Sequence, residues 1–293
     1  MTDRSHQPSP DFGAVSALPG ERRVEIYDSA ERPSPFIDEF VQLLRYRDLV
    51  RELVSRDIKA RYKRSALGLG WTMLHPLLSM LVLTLVFSNV FRFSVDNYAV
   101  YILCGLVLWN FFSTTTTHAM TQMTWGGGLL SRIYLPKAVF AASSIGTGLV
   151  NLALALVPLL VIAVLSGVSL HWSLLVLPGA VALTAMFALG VGLLLSALGV
   201  YYTDVINMYE IILTLWMYLT PIIYPIDILP PGVRAVVELN PMYYFLELFR
   251  APIYTGVVPP GDVWLKALLL ATGMLILGWW YFTRKADEFA YRV

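Results

Sequence analysis

The chain has 293 residues, of which 57% are hydrophobic and only 14% charged, and its formal net charge is +1. A typical soluble domain has about 25% charged and about 45–50% apolar residues. The composition therefore excludes an ordinary soluble protein and indicates an all-α integral membrane protein with several spans. The single cysteine, Cys104, rules out a disulfide framework and a cysteine-based metal site.

The N-terminal region is polar, and a basic helix is predicted to follow it. Residues 1–36 contain several prolines and no apolar core of the kind a signal peptide needs, so we expect a cytoplasmic, largely disordered tail. Eight of the 21 basic residues lie between Arg45 and Arg64. Residues 37–66 are predicted to form an amphipathic helix on the membrane surface. Its apolar stripe comprises Leu43, Tyr46, Val50, Leu53, Val54, Ile58 and Tyr62.

Residues 67–285 are predicted to form a six-span transmembrane domain, because six apolar stretches approach the length of about 17–25 residues that a bilayer requires. Residues 286–293 form the short C-terminal segment. The predicted spans are Leu67–Phe91, Tyr98–Met120, Ala138–Leu165, Trp172–Leu198, Met208–Ile226 and Val263–Phe282.

The distribution of lysine and arginine predicts the orientation. With six spans, 17 of the 21 basic residues fall on one side, which is therefore expected to be cytoplasmic. Both termini and the connection after the second span lie on that side. Arg92, Arg234, Arg250 and Lys266 remain on the other.

Two connections between spans have unusual sequences. The cytoplasmic one, residues 126–137, begins with three glycines and continues as a short amphipathic segment that ends at Pro136. Such a segment suits a peg for a soluble partner; the alternative is a simple tight turn. The external connection, residues 227–262, is rich in proline and includes an apolar run of re-entrant length, Leu239 to Arg250. We expect a gate of broken helices there, and the alternative is a loop resting on the membrane.

The residues needed for catalysis or for ion coupling do not converge in the sequence. The four histidines are far apart, there is no Gly-Lys pair of a phosphate-binding loop, and the middles of the six spans carry no Asp, Glu, Lys or Arg. Any transport therefore needs energy from another subunit. The small residues Gly146, Gly148, Gly190 and Gly192 predict close packing between helices.

Several separated motifs resemble the type-2 ABC exporter permeases that move O-antigen, capsule, teichoic acid and related polysaccharides across the bacterial inner membrane. Arg56–Arg64 with Leu67–Trp71 resembles the interface helix of that family and the start of its first span. Leu129–Lys137 is similar to its coupling helix. Its external gate is resembled by three short motifs: Pro221–Pro225, Leu239–Pro241 and Phe249–Arg250. The chain end, Asp287–Val293, resembles its C-terminal signature. The family's basic turn after the fourth span is missing, because this chain has Gly199-Val-Tyr-Tyr-Thr-Asp204 there.

The resemblance implies a homodimer that pairs with two copies of a separate ABC ATPase, which binds ATP and Mg²⁺; this chain itself needs no cofactor. Membrane lipids and a lipid-linked polysaccharide are the other expected partners, and no nucleic acid is expected. The implied ATPase-coupling residues are Leu129, Leu130, Ser131, Arg132, Ile133, Tyr134, Leu135, Pro136 and Lys137. The implied interface-helix residues are Arg45, Arg51, Arg56, Asp57, Lys59, Arg61, Tyr62 and Lys63. The implied gate residues are Pro221, Tyr224, Pro225, Asn240, Pro241, Glu247 and Arg250.

The implied path runs along the dimer interface, lined by the first and fifth spans. Aromatic rings suit a sugar conduit because they offer flat apolar faces. Six candidates for the lining are Trp71, Trp109, Phe111, Phe112, Trp216 and Tyr218, of which we expect two to serve; the others anchor the membrane interface.

Three alternatives remain open from the sequence. A type-2 ABC exporter of a drug or small lipid shares the same architecture. A membrane glycosyltransferase would need clustered carboxylates, whereas those of this chain are scattered. An ion-coupled flippase is disfavoured by the uncharged spans.

Overall fold

A computed structural model describes residues 35–63, 68, 70–90, 96–125, 136–169 and 171–285. Residues 1–34 of the predicted tail, residues 126–135 of the predicted coupling helix and the C-terminal signature lie outside the described residues, whereas Pro35 and Phe36, which were assigned to the tail, begin a helix. The described residues form ten α-helices and two short 3-10 helices, with no β-strand among them. The α-helices are α1 (Pro35–Arg45), α2 (Arg47–Tyr62), α3 (Gly70–Val90), α4 (Tyr98–Trp125), α5 (Ala138–Leu165), α6 (Leu177–Tyr201), α7 (Asp204–Leu219), α8 (Pro231–Glu238), α9 (Pro241–Tyr254) and α10 (Gly261–Lys285). The 3-10 helices are Trp172–Val176 and Ile226–Ile228.

Helix α4 lies at the centre of the helical domain. It packs against α3, α5, α6, α7 and α9, and 78% of its most apolar stretch is buried, against 22% for α10. The side chains of Ile102, Leu108 and Phe112 are completely buried. Helix α4 is therefore the core helix, and α10 presents much of its apolar surface outward, as a membrane helix does.

Glycines let two helix pairs approach closely, which confirms the packing predicted from the small residues. A Cβ on Gly190 of α6 would meet the backbone of α10 at Met274, and a Cβ on Gly278 of α10 would overlap the carbonyl oxygen of Gly190. A Cβ on Gly148 would overlap Thr115 of α4. Small residues permit such backbone-to-backbone contact between membrane helices.

In the part of the chain that the structure describes, four helical segments are long and apolar enough to cross a membrane: Tyr98–Met123, Ala138–Leu165, Trp172–Tyr201 and Gly261–Lys285. The predicted first span corresponds to a shorter apolar stretch, Gly70–Val86. The predicted fifth span, Met208–Ile226, differs from the structure, where α7 has 16 residues and ends at Leu219. Pro221 explains this end, because proline disfavours a helical conformation of the residue before it.

The predicted N-terminal helix, residues 37–66, is divided into α1 and α2 at Tyr46. The two helices have different partners, since α1 packs mainly on α10 and α2 on α5. Phe36 and Phe40 contact the ring of Trp279 edge to face, and the Trp279 indole donates a hydrogen bond to the Phe36 carbonyl at 3.1 Å. A bend at Tyr46 lets one amphipathic segment reach both surfaces.

Candidate functional site

The side chains of α2 divide into two faces, as the sequence pattern predicts. Leu53 is buried, and Tyr46, Val50, Val54 and Ile58 are partly buried. Six basic side chains are exposed instead: Arg51, Arg56, Lys59 and Arg61 in α2, Arg45 at the end of α1 and Lys63 directly after α2. The apolar face packs on α5, and the exposed basic face remains available to lipid headgroups or to a partner protein.

The contact between α2 and α5 is close because Gly146 has no side chain. A Cβ at this position would come within 2.7 Å of the Val54 Cγ2 atom. Val is branched and stiff at χ1, so the clash has little room to relax. Gly146 therefore determines how closely the basic helix α2 approaches α5, the helix that follows the predicted coupling segment, residues 126–137.

A polar cluster joins α2 to the helices on both sides of the coupling segment. The Gln122 side-chain nitrogen in α4 donates a hydrogen bond to the Asp57 carboxylate at 2.7 Å and lies 3.2 Å from Nε2 of His118. The Ser143 hydroxyl in α5 donates to the Gln122 side-chain oxygen at 3.4 Å. Asp57 also accepts from the neighbouring Arg56 at 3.1 Å. We call Asp57, His118, Gln122 and Ser143 the latch cluster.

Helix α1 contributes a second tie, at the start of α5. The Glu39 carboxylate accepts a hydrogen bond from the backbone N–H of Ala138 at 2.9 Å. Helix N-termini have unpaired N–H groups and a partial positive charge, so a carboxylate is favourable there. Lys137, which precedes the helix, provides no side-chain cap of its own. Pro136 is buried and Lys137 is partly buried, so the end of the coupling segment is held against the domain.

The separated motifs of the predicted gate meet around Asn240. The Asn240 side chain is buried; its oxygen accepts from the Trp216 indole at 2.6 Å and from the backbone N–H of Met242 at 3.0 Å. Its nitrogen donates to the Thr220 hydroxyl at 2.9 Å. Asn240 thus caps α9, with Pro241 at the first helical position, and ties α9 to the end of α7.

Arg250 clamps the Pro221–Pro225 loop from the other end of α9. It is 5% exposed, and its guanidinium donates to the carbonyl oxygens of Pro221 at 2.9 Å and Ile222 at 3.3 Å. The guanidinium also lies 3.7 Å from the centre of the Tyr101 ring, a cation–π contact. Several buried carbonyls of a non-helical loop are satisfied in this way, as apolar surroundings require.

Three residues of α4 complete the clamp, and the sequence analysis did not identify them. The Tyr98 hydroxyl donates to the Ile223 carbonyl at 2.6 Å, and the Tyr101 hydroxyl donates to the Tyr224 carbonyl at 3.0 Å. A Cβ at Gly105 would lie 2.8 Å from Ile222 and 2.9 Å from the Arg250 guanidinium. The spacing of Tyr98, Tyr101 and Gly105 places them on one helix face, which is the signal that was available.

Glu247 faces a cavity of about 370 Å³ between α9 and the segment after α7. Burial raises the pKa of the Glu247 carboxyl; the Arg250 charge opposes that rise and Asp227 adds to it. Pro225, Asp227 and Arg234 also line the cavity. Tyr224 closes the loop, since its hydroxyl donates to the Tyr218 carbonyl at 2.9 Å. All seven predicted gate residues thus lie in or beside one connected region.

The six aromatic candidates for a channel lining lie in two different environments. Trp109, Phe111 and Phe112 are buried within the domain. Phe112 and Trp216 pack with Phe187 in an aromatic core cluster, and Trp216 is partly buried. Trp71 and Tyr218 are 54% and 60% exposed. Of the six candidates, only these two are exposed on the surface of the described domain.

Helices α3 and α7 carry long exposed apolar faces. On α3 these side chains are Leu78, Leu81, Val82 and Leu85, and on α7 they are Met208, Ile211, Ile212 and Leu215. Among the described residues, no group of three or more His, Cys, Asp or Glu is placed to hold a metal ion. The described residues therefore provide exposed apolar faces, the latch cluster and a loop held by Arg250, and no group of metal-binding side chains.

Comparison with known proteins gives one consistent result. The sequence model described as ABC-2 type transporter matches residues 48–254. The O-antigen export system permease protein RfbA of Myxococcus xanthus is 32% identical over 254 residues, which cover 85% of this chain and 96% of that protein. The protein of the same name from Klebsiella pneumoniae is 26% identical over 72% of this chain and 82% of its own length. The polysialic acid transport protein KpsM of Escherichia coli is 21% identical over 72% and 83%.

Proposed function

We propose a function for this chain that starts from its family: the chain belongs to the ABC-2 type transporter family. It is a transport subunit of an ABC transporter and not itself an enzyme. We propose that it is the permease subunit of an exporter of lipid-linked polysaccharide, such as O-antigen or another cell-surface glycan. The observation that carries this is the 32% identity to an O-antigen export permease over 96% of that protein's length.

The proposed location is the bacterial inner membrane, with six spans and both termini in the cytoplasm. The four long apolar helices supply four of the spans. Helix α3 supplies the first span, and α7, continued by the Pro221–Pro225 loop, supplies the fifth. The segregation of 17 of 21 basic residues to one side supports the orientation.

The working unit is a homodimer with two copies of an ABC ATPase, which binds ATP and Mg²⁺. The exposed apolar faces of α3 and α7 form the dimer interface and enclose the path, with Trp71 and Tyr218 as its lining aromatics. The exposed faces and the two exposed rings support this arrangement.

The coupling segment, residues 126–137, and the basic face of α2 receive the motion of the ATPase. The latch cluster and the Glu39 cap support this role, because they join α1, α2, α4 and α5 around that segment. A push on any one of these helices then moves the others. The external region 227–262 acts as the gate, and the clamp by Arg250 on the Pro221 carbonyl connects it to α4 through Tyr101.

An exporter of a drug or small lipid is the second candidate, because the family fold does not by itself determine the cargo. The test is to purify this chain in lipid with a candidate ABC ATPase from the same genome, and to measure ATP hydrolysis with and without lipid-linked glycan. Stable association and stimulation by glycan support the polysaccharide exporter. Stimulation by small amphiphiles alone supports the second candidate, and failure to associate contradicts both.

A further inference from the structure

A cleft of about 450 Å³ lies between α3, α4 and α5, beside the end of α2. Six polar or basic side chains from these four helices line it: Arg61, Thr72, His75, Asn110, Thr114 and Asn151. Apolar walls are provided by Trp71, Val107, Phe111 and Leu152. The cleft is separate from the latch cluster, from the gate and from the buried aromatic core cluster.

The depth of its polar groups is unusual for a membrane protein. Asn110 lies near the middle of α4 and Asn151 near the middle of α5, each roughly 20 Å from the end of its helix that flanks the coupling segment. Placing a polar side chain at such depth costs free energy, and where such side chains are present they usually mark a substrate path or face a water-filled cavity. Both carboxamides are partly accessible and face the same cleft.

The Arg61 guanidinium and the His75 imidazole lie at the end of the cleft away from Asn110 and Asn151. Arg61 belongs to the last turn of α2 and His75 to the second turn of α3, and both side chains are exposed. Under the proposed topology this end is the cytoplasmic membrane interface. A guanidinium binds phosphate oxygens with a fork of two N–H groups, and amide N–H and hydroxyl groups provide further donors along the cleft. The cleft thus has Arg61 and His75 at its mouth, hydrogen-bonding side chains along its floor and apolar walls.

We propose that this cleft binds the diphosphate headgroup of a polyprenyl lipid and guides it from the inner leaflet toward the middle of the membrane. Arg61 and His75 hold the phosphate oxygens at the mouth, Asn110 and Asn151 form hydrogen bonds to the advancing polar group, and the apolar wall contacts the prenyl chain. The inference rests on the proposed function, since it names how the lipid-linked cargo is first bound. A phospholipid headgroup offers the same phosphate chemistry, so the test separates the two sources.

The experiment uses the complex of this chain with its ABC ATPase in lipid nanodiscs and a polyprenyl diphosphate whose chain carries a photoreactive diazirine. Illumination followed by peptide mass spectrometry locates the label. We expect label on α3, α4 and α5 beside the cleft, with excess unlabelled polyprenyl diphosphate competing and excess phosphatidylglycerol not competing. The double variant Asn110→Leu/Asn151→Leu should reduce labelling about tenfold, because it removes two hydrogen-bonding groups from an anionic ligand.

Thr117→Val is the matched control, since Thr117 lies on α4 and does not line the cleft. It should leave labelling unchanged. Arg61→Gln provides a second test at the mouth, where a packing defect is not expected because the side chain is exposed. Any one of three results overturns the inference: label found elsewhere in the chain, labelling that neither Asn110→Leu/Asn151→Leu nor Arg61→Gln changes, or equal competition by phosphatidylglycerol. Glycan-stimulated ATP hydrolysis by the same preparation is scored separately, so the cleft can fail while the exporter role stands.

Discussion

The Asp57 carboxylate lies 2.7 Å from the side-chain nitrogen of Gln122, although 65 positions separate the two residues. The Asp57 side chain is 12% exposed, so the hydrogen bond is largely shielded from water. It joins the basic helix α2 to the end of α4 just before the coupling segment. Because a charged hydrogen bond in a shielded position is stronger than an exposed one, this contact can transmit a displacement.

Replacing Asp57 with Ala should uncouple the transporter without dissociating it. The Gln122 side-chain nitrogen loses its carboxylate partner and keeps only its contact with His118, so we expect glycan-stimulated ATP hydrolysis to fall about fivefold, a coupling energy of about 1 kcal/mol. ATPase assays on the purified complex measure this. Glu52→Gln is the control, because Glu52 is an exposed carboxylate on the same helix. Equal stimulation in Asp57→Ala and wild type would show that the latch cluster carries no coupling.

Enlarging Gly146 should separate α2 from α5. In Gly146→Ala the added methyl group would lie 2.7 Å from the Val54 Cγ2 atom, so coupling and export should decrease. The double variant Gly146→Ala/Val54→Ala restores space and should recover much of the loss. A double-mutant cycle on glycan export measures the interaction. Additive effects of the two substitutions would contradict a direct contact.

Removing Arg250 should destabilise the gate region. Arg250→Leu removes the donor of the buried Ile222 carbonyl, at a cost of about 1–3 kcal/mol, and leaves the Pro221 carbonyl only a long contact with the Tyr101 hydroxyl at 3.4 Å. Thermal unfolding of the solubilised protein should begin several degrees lower. Arg250→Lys should rescue only part of the loss, since a lysine lacks the planar fork and its stacking on Tyr101.

The exposed ion pair of the same region provides the control for Arg250. Arg234→Gln breaks the ion pair with Glu238, and both side chains of that pair are about half exposed. It should leave the unfolding temperature unchanged. A loss equal to that of Arg250→Leu would mean that the gate region responds to charge alone and not to the clamp.

Two glycines of α10 should respond differently to the same substitution. A methyl group on Gly278 overlaps the Gly190 carbonyl, so Gly278→Ala should force α6 and α10 apart and cost about 1–3 kcal/mol. Nothing lies within 4 Å of the corresponding point on Gly273, so Gly273→Ala should be tolerated. The yield of folded protein in detergent and the thermal unfolding temperature compare the two variants. Similar stability of the two variants would contradict the close packing.

Cysteine labelling can separate the exposed aromatic rings from the buried ones. Cys104 is buried and the only cysteine in the chain, so Cys104→Ala gives a background without thiols. In the complex, Tyr218→Cys should react with a water-soluble maleimide if Tyr218 lines an aqueous path, whereas Trp109→Cys should stay unreactive because position 109 is buried. Failure of Tyr218→Cys to react in every nucleotide state would remove α7 from the proposed path.

Much of the helical architecture was predictable from local pattern. The apolar stretches predicted most helices of the domain, since a bilayer demands length and apolarity that few other structures require. The stripe of α2 followed from helical periodicity, and the glycines of α5 and α6 indicated close packing. The end of α7 was mispredicted, because apolarity continues through Ile222 and Ile223 while the missing N–H of Pro221 stops the helix.

The sequence by itself determined the class of the protein, the approximate positions of most of its helices and the segregation of its charges. These depend on composition and on spacing within one helix. Only the tertiary structure decided that Asp57 meets Gln122, that Glu39 caps α5, that Arg250 clamps the Pro221 carbonyl, and that Asn110 and Asn151 face one cleft. Each of these contacts joins residues far apart in the chain, and their partners are often backbone atoms that every residue shares. Side-chain identity cannot specify such contacts; the packing of whole helices does.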